Sequence, residues 1–306
     1  MNKRKQHVIK HAHKLFIEKG YQLTSIQDIL EYSSISKGTF YNYFSSKSEL
    51  LLAVFKMIHD KLRKERNELL IGQNSSDISI FIKQLELEMR FNKQNKLFSL
   101  FEEVFVSNDA ELKQYIQHFR LINTHWIYLR FVDLFGQDNK PYLLDSTIIF
   151  SGLLHSMIRN NFMEANAPNR VNVSEIIQYC VNRIITIVED VSKSGEQIFP
   201  PECLNTWLPD RDENEHDLKS KLLHTALVLK NIINKKINGE HEQTMYYEYL
   251  EFIEDELLQT RKPRKFLIQS TFASFKATSH DEIMQEIINF EKMAEDYLQQ
   301  LEDTLN

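Results

Sequence analysis

The sequence predicts an all-α protein, and three observations carry the prediction. The 306 residues include only 7 Gly and 6 Pro, too few for a chain that turns sharply and often. Apolar residues make up 42% of the chain and recur at three- and four-residue spacing, the period of one helix face. Twice near the start, a Ser or Thr stands three places ahead of Gln or Glu at the opening of such a stretch, the pattern that caps a helix start. A chain of this length suits more than one module.

The first helix is expected from about Lys3 to Lys19, with Val8, Ile9, Ala12, Leu15 and Phe16 on one stripe and Gly20 as its stop. The second starts at Thr24, with Gln27 as reciprocal capping partner, and runs to about Tyr32, burying Ile26, Ile29 and Leu30. Ser33-Ser34-Ile35 forms a tight turn. The third helix is short, Lys37 to Phe44, and is capped by Ser36. The fourth opens on Ser46-x-x-Glu49 and reaches about Leu70. Past the linker-like Ile71–Ser76, helical patterns cover about 77–92, 96–107, 110–135, 143–166 and 173–193, punctuated by Gly136, Pro141, Pro168 and Gly195. Residues 194–217 contain three of the six prolines and end acidic, as a connector does. Four more helices follow at about 217–238, 242–260, 265–277 and 281–304. In the last, Ile283, Ile287, Phe290, Ala294, Tyr297 and Leu301 form an a/d seam that packs either on its own domain or on a second chain.

Charge is divided unevenly. Residues 1–59 carry nine Lys and Arg against four Asp and Glu, a net of +5, while the remainder carries −11 of the total of −6. A basic head on an acidic body suits contact with a polyanion. The basic N-terminus has no apolar run behind it, so a signal peptide is not expected. No stretch approaches the length of a membrane span. Cys180 and Cys203 make no disulfide or metal framework, and the cytoplasm is the expected compartment. The eleven histidines show no HExxH pattern or tight cluster, and no phosphate-binding glycine loop or nucleophile elbow occurs. The chain therefore reads as a non-enzyme with no cofactor, no metal and no catalytic residues.

The stretch Ser34–Leu50, "SISKGTFYNYFSSKSEL", holds the sharpest signal. On a helical wheel Phe40 and Phe44 share one face and point into a core, opposite Gly38, Thr39 and Asn42, with Lys37 and Tyr41 on one flank and Tyr43 on the other. A short helix held across a tight turn by the helix before it is a helix-turn-helix, whose second helix enters the DNA major groove. Thr39 and Asn42 can read base edges, and Gly38 lets the backbone approach closely. Lys37, Tyr41, Tyr43 and Lys47 can reach phosphates, as can the backbone N–H groups at the capped starts marked by Thr24, Ser25 and Ser36.

These residues resemble the DNA-binding domain of TetR-family transcriptional regulators. Thr24, Ile29, Ser36, Gly38, Thr39, Phe40, Tyr41, Tyr43, Phe44, Lys47 and Leu50 fall in the family's pattern, over roughly residues 5–55. Leu30 departs from the usual Ala, and Ser33-Ser34-Ile35 replaces Ala-Gly-Val. Ser34 then sits where a left-handed glycine is usual, at a cost of roughly 1 kcal/mol.

The resemblance implies a three-helix DNA-binding domain over 1–47, a larger helical ligand-binding and dimerisation domain over 48–195, and a C-terminal helical extension over 196–306. It implies a homodimer joined through helices at about 143–166 and 173–193. A small, apolar effector would release it from a palindromic operator in double-stranded DNA. Within 96–135, Phe101, Phe105, Phe119 and Trp126 suit an apolar ligand, and His118, His125 and Arg130 suit its polar end. A second reading stays open: a DNA-bound adaptor that recruits a protein through the extension, in cell division or chromosome organisation.

Overall fold

A computed structural model describes residues 3–71, 73–107, 109–163, 171–208, 213–237, 239–259 and 263–305; Pro168 lies outside them. Every regular element among the described residues is helical. The chain divides into two compact units, one of Asn2–Leu69 with Ser75–Leu208, the other of Leu70–Asn74 with Pro209–Asn306. Among the described residues no helix is long and apolar enough to cross a membrane.

The first unit opens with α1 (Lys3–Lys19), α2 (Ile26–Ser33), α3 (Lys37–Tyr43) and α4 (Lys47–Glu68). The expected stripe of α1, from Val8 to Phe16, is buried. Helix α2 starts later than expected. Its cap is Ser25, whose hydroxyl accepts the Asp28 N–H at 3.0 Å while the Asp28 carboxylate accepts the Ser25 N–H at 2.8 Å. Thr24 is instead buried, and its hydroxyl donates to the Gly20 carbonyl at 2.6 Å. The expected Thr24–Gln27 pair is corrected to Ser25–Asp28, because the shorter Asp side chain closes the reciprocal box.

Ser34 ends α2 in the left-handed region, at φ 52° and ψ 47°. Its N–H donates to the Glu31 carbonyl, and the Ile35 N–H reaches back to the Leu30 carbonyl at 3.1 Å, a Schellman-type closure. Ser36 caps α3 by accepting the Thr39 N–H at 3.1 Å. Ser46 caps α4, but the Glu49 carboxylate accepts the N–H of Ser45, at 2.6 Å, and not that of Ser46.

Helices α5 (Ile78–Gln94), α6 (Leu97–Val106) and α7 (Ala110–Phe135) follow, then a 3-10 helix (Gln137–Tyr142), α8 (Leu143–Met163), α9 (Val173–Ser194) and α10 (Cys203–Trp207). Two apolar cores organise this unit. One joins α1–α4 to α5–α7 through Phe16, Phe40, Phe44, Phe55, Leu100 and Ile116. The other gathers Phe81, Phe131, Phe150, Ile177 and Ile184 from α5, α7, α8 and α9, with Leu204 of α10. Residues 203–207, expected as connector, thus form a helical turn because Leu204 has a core to enter.

The second unit holds α11 (Glu213–Lys236), α12 (Glu240–Gln259), α13 (Lys265–Thr278) and α14 (Asp281–Leu305) around its own core. The α14 seam packs within this unit. Ile283, Ile287, Phe290, Ala294 and Tyr297 are buried with Leu222, Ala226, Leu229 and Ile233 of α11.

Candidate functional site

Helix α3 presents the expected outward face. Phe40 and Phe44 are fully buried, and their packing sets the helix rotation. Lys37, Gly38, Tyr41 and Asn42 are exposed, while Thr39 and Tyr43 are half-buried. A Cβ on Gly38 would meet nothing nearer than the Ser36 Oγ at 3.9 Å. The fold itself therefore places no demand for glycine there, and the bare backbone is available to something approaching from outside. The Thr39 hydroxyl lies 2.9 Å from the Ser36 Oγ, so its orientation is coupled to the cap.

The turn that precedes α2 is clamped from several sides. The Lys47 Nζ donates to the carbonyls of Tyr21 and Thr24, each at 2.9 Å, and lies over the Tyr21 ring. Burial lowers its pKa, with the Glu103 carboxylate opposing the shift. Glu103, from α6, accepts the Gln22 N–H at 2.8 Å. Gly20 takes φ +84°, and a Cβ on it would come within 2.9 Å of the Glu103 Oε1. From the start of α7, Asp109 accepts the Ser48 hydroxyl, and Lys96 reaches the Ile17 carbonyl at 2.9 Å. The α1–α2 turn is thereby bonded to α4 and α6, and the head is not a free module.

The family comparison agrees with this geometry. The model of the bacterial regulatory proteins of the tetR family matches residues 8–54, the span of α1, α2, α3 and the first turns of α4. The chain belongs to the TetR family of helix-turn-helix transcriptional regulators. Two TetR-type relatives come from Bacillus subtilis. The HTH-type regulator YerO is 27% identical over 289 residues, covering 92% of this chain and 93% of its own. The HTH-type regulator YuxN is 26% identical over 205 residues, 65% of this chain and 68% of its own. The dhaKLM operon transcriptional activator DhaS of Lactococcus lactis is 29% identical over 136 residues, 44% of this chain and 63% of its own. No solved structure matches the chain significantly.

Within this TetR-type head, three of the expected phosphate contacts are corrected. Thr24 is buried, and its N–H is taken by the Tyr21 carbonyl. The Ser25 N–H and hydroxyl both bond Asp28, whose carboxyl is held far below its usual range by hydrogen bonds from Lys19 and Ser25. The start of α2 thus already holds an anion of its own. Lys47 faces inward onto two carbonyls, where it fixes the turn. Ser36, Lys37, Gly38, Thr39, Tyr41, Asn42 and Tyr43 remain on or beside the exposed face.

The seven expected effector residues are scattered. Phe105 and His118 are exposed, with Arg120 over the Phe105 ring, and His125 lies beside Tyr128. Phe101, Phe119, Trp126 and Arg130 border a seam between α4 and α7. In that seam Phe55 stacks on Tyr115, His59 on Phe119, and Arg66 on Trp126. Each pair is sixty positions apart, so the two helices run in the same direction. Sequence reasoning missed His59 and Arg66, although both interrupt the apolar stripe of α4 at Phe55, Ile58 and Leu62, a signal that was there to read.

The seam carries a buried polar cluster at its far end. Arg66 meets Glu88 at 3.4 Å and Asn123 at 3.3 Å. Burial pushes the Arg66 pKa down and the Glu88 pKa up. Gln84 bridges the two arginines, donating to the Arg66 carbonyl at 2.9 Å and accepting from the Arg130 Nε at 3.0 Å. Among the described residues no group of three or more His, Cys, Asp or Glu is placed to hold a metal ion.

Proposed function

We propose that the protein is a homodimeric repressor that binds a palindromic operator in duplex DNA and releases it when a small apolar effector enters the body. The observation that carries the DNA half is the exposed face of α3, small and polar at its centre and held in rotation by Phe40 and Phe44. Asn42 suits adenine and Thr39 suits several base edges. Ser36, Lys37, Tyr41 and Tyr43 suit phosphates, which fix register.

Pairing is supported by α8 and α9. Ile149 on α8 and Tyr179 on α9 are about half exposed, and Gly152 and Ser156 lie on the outer side of α8 as small residues that allow close helix approach. In a dimer the two α3 helices meet successive half-sites when they sit roughly 34–36 Å apart. Effector response is supported by the seam. A molecule inserted between α4 and α7, near Phe101, Phe119, Trp126 and Arg130, shifts α4 and with it Lys47, which holds the turn of the head. Such coupling is typically about 1–3 kcal/mol and reciprocal.

A second reading, a DNA-bound adaptor, is favoured by one observation. Pro209–Asn306 has a core of its own, and Phe266 and Leu267 stand exposed at the start of its α13. DhaS is named an activator, so the sign of regulation is read from expression of the target genes with and without the protein. The DNA half is tested by fluorescence anisotropy. Lys37→Ala with Tyr41→Ala weakens binding to all duplex sequences and lowers the salt slope by about one. Unchanged affinity and slope would sink the assignment.

A further inference from the structure

The polar end of the α4–α7 seam has more positive charge than its own partners meet. Arg66 and Arg130 are both buried. The Nε of Arg66 and the Nη2 of Arg130 are sealed from solvent with no hydrogen-bond partner. The carboxylate that faces them from inside is that of Glu88, at the long distance of 3.4 Å. Asp133 pairs with Arg130 at 2.6 Å, but its side chain is 42% exposed, so solvent shares its charge. Gln84 cannot supply the missing acceptor, because its amide oxygen already takes the Arg130 Nε. Asn123 already faces the Arg66 Nη1.

We propose that this cluster is the headgroup site of the effector, and that the effector is a monocarboxylate with an apolar or aromatic body. Two buried donors without acceptors on two guanidinium groups match the two oxygens of one carboxylate. One surplus internal cation matches a single negative charge, whereas a phosphate dianion would bring an unmatched charge into the interior. The Trp126 ring beneath Arg66 at 3.8 Å and the Phe81 ring 6.0 Å from Arg130 supply apolar surface beside the headgroup. The inference rests on the reading that the body takes a small-molecule effector, and it names the class of that molecule.

The experiment titrates the full chain with matched pairs, benzoate with benzyl alcohol and decanoate with decanol, by calorimetry. Operator release is read in parallel by anisotropy. The expected result is binding of an acid at least tenfold tighter than its alcohol. Arg130→Gln abolishes that preference while still binding DNA without ligand. Should Arg130→Gln fail to fold, Arg130→Lys decides, because it keeps the charge and loses the fork; a loss of at least tenfold in acid affinity is expected. Alcohols that bind as well as acids overturn the carboxylate assignment and leave the effector reading standing. An acid preference that survives at Arg130→Gln, or is undiminished at Arg130→Lys, overturns the location. Failure of both members of every pair to bind overturns the inference and the effector reading together.

Discussion

His59 sits on α4 with its ring stacked on Phe119, centroids 3.4 Å apart, and its Nδ1 3.1 Å from the Tyr115 hydroxyl. Its Nε2 is buried without a partner. Burial, reinforced by the positive charge of Arg66, lowers its pKa to about 3. In the unfolded chain a histidine titrates near 6.5. Below that pH the unfolded chain takes up a proton that the folded chain refuses, so stability falls as pH drops from about 6.5 toward 3. The slope is at most about 1.4 kcal/mol per pH unit, and the loss reaches about 2 kcal/mol at pH ~5. His59→Phe keeps a ring in the stack and removes the proton site. Urea unfolding of both proteins near pH 7 and near pH 5 reads the difference, in which other titrating groups such as His13 cancel. The variant should be less acid-sensitive by about 2 kcal/mol. Equal acid sensitivity in the two proteins would refute a buried, neutral His59.

Two further outcomes follow from the head. Lys47→Met strands the Tyr21 and Thr24 carbonyls. It should cost about 2 kcal/mol in urea unfolding and weaken DNA binding through the displaced turn, with Lys47→Arg milder. An unchanged unfolding midpoint would show that the clamp contributes nothing. Ser34→Gly relieves a left-handed backbone at φ 52°. The relief of roughly 1–2 kcal/mol exceeds the roughly 0.5–1 kcal/mol that glycine's extra freedom costs. The melting temperature should rise by about 1–3 °C, and Ser34→Val should lower it.

Local pattern was enough for most helices, because each is amphipathic and bounded by its own caps and stops. The a/d spacing from Ile283 onward marked the buried face of α14 but not the surface it meets. That surface belongs to α11, some sixty residues earlier in the chain. The wheel of α3 separated Phe40 and Phe44 from the outward face because rotation within one helix is a local property. The cap of α2 was missed by one residue because Thr24 and Ser25 are equally good caps in isolation. Burial of Thr24 against the Gly20 carbonyl chose between them.

By itself the sequence determined the helical class, the helix-turn-helix and the left-handed turn at Ser34. These depend on residues a few positions apart, whose geometry a helix or turn dictates. Only the tertiary structure decided what the long polar side chains do. Lys47 turns inward because two carbonyls of a distant turn lie within 2.9 Å. His59 is neutral because α7 covers it. Arg66 and Arg130 share a site because Gln84 lies between them. A flexible charged side chain carries no periodic signal of its destination. Its role is set by partners that folding brings from elsewhere in the chain.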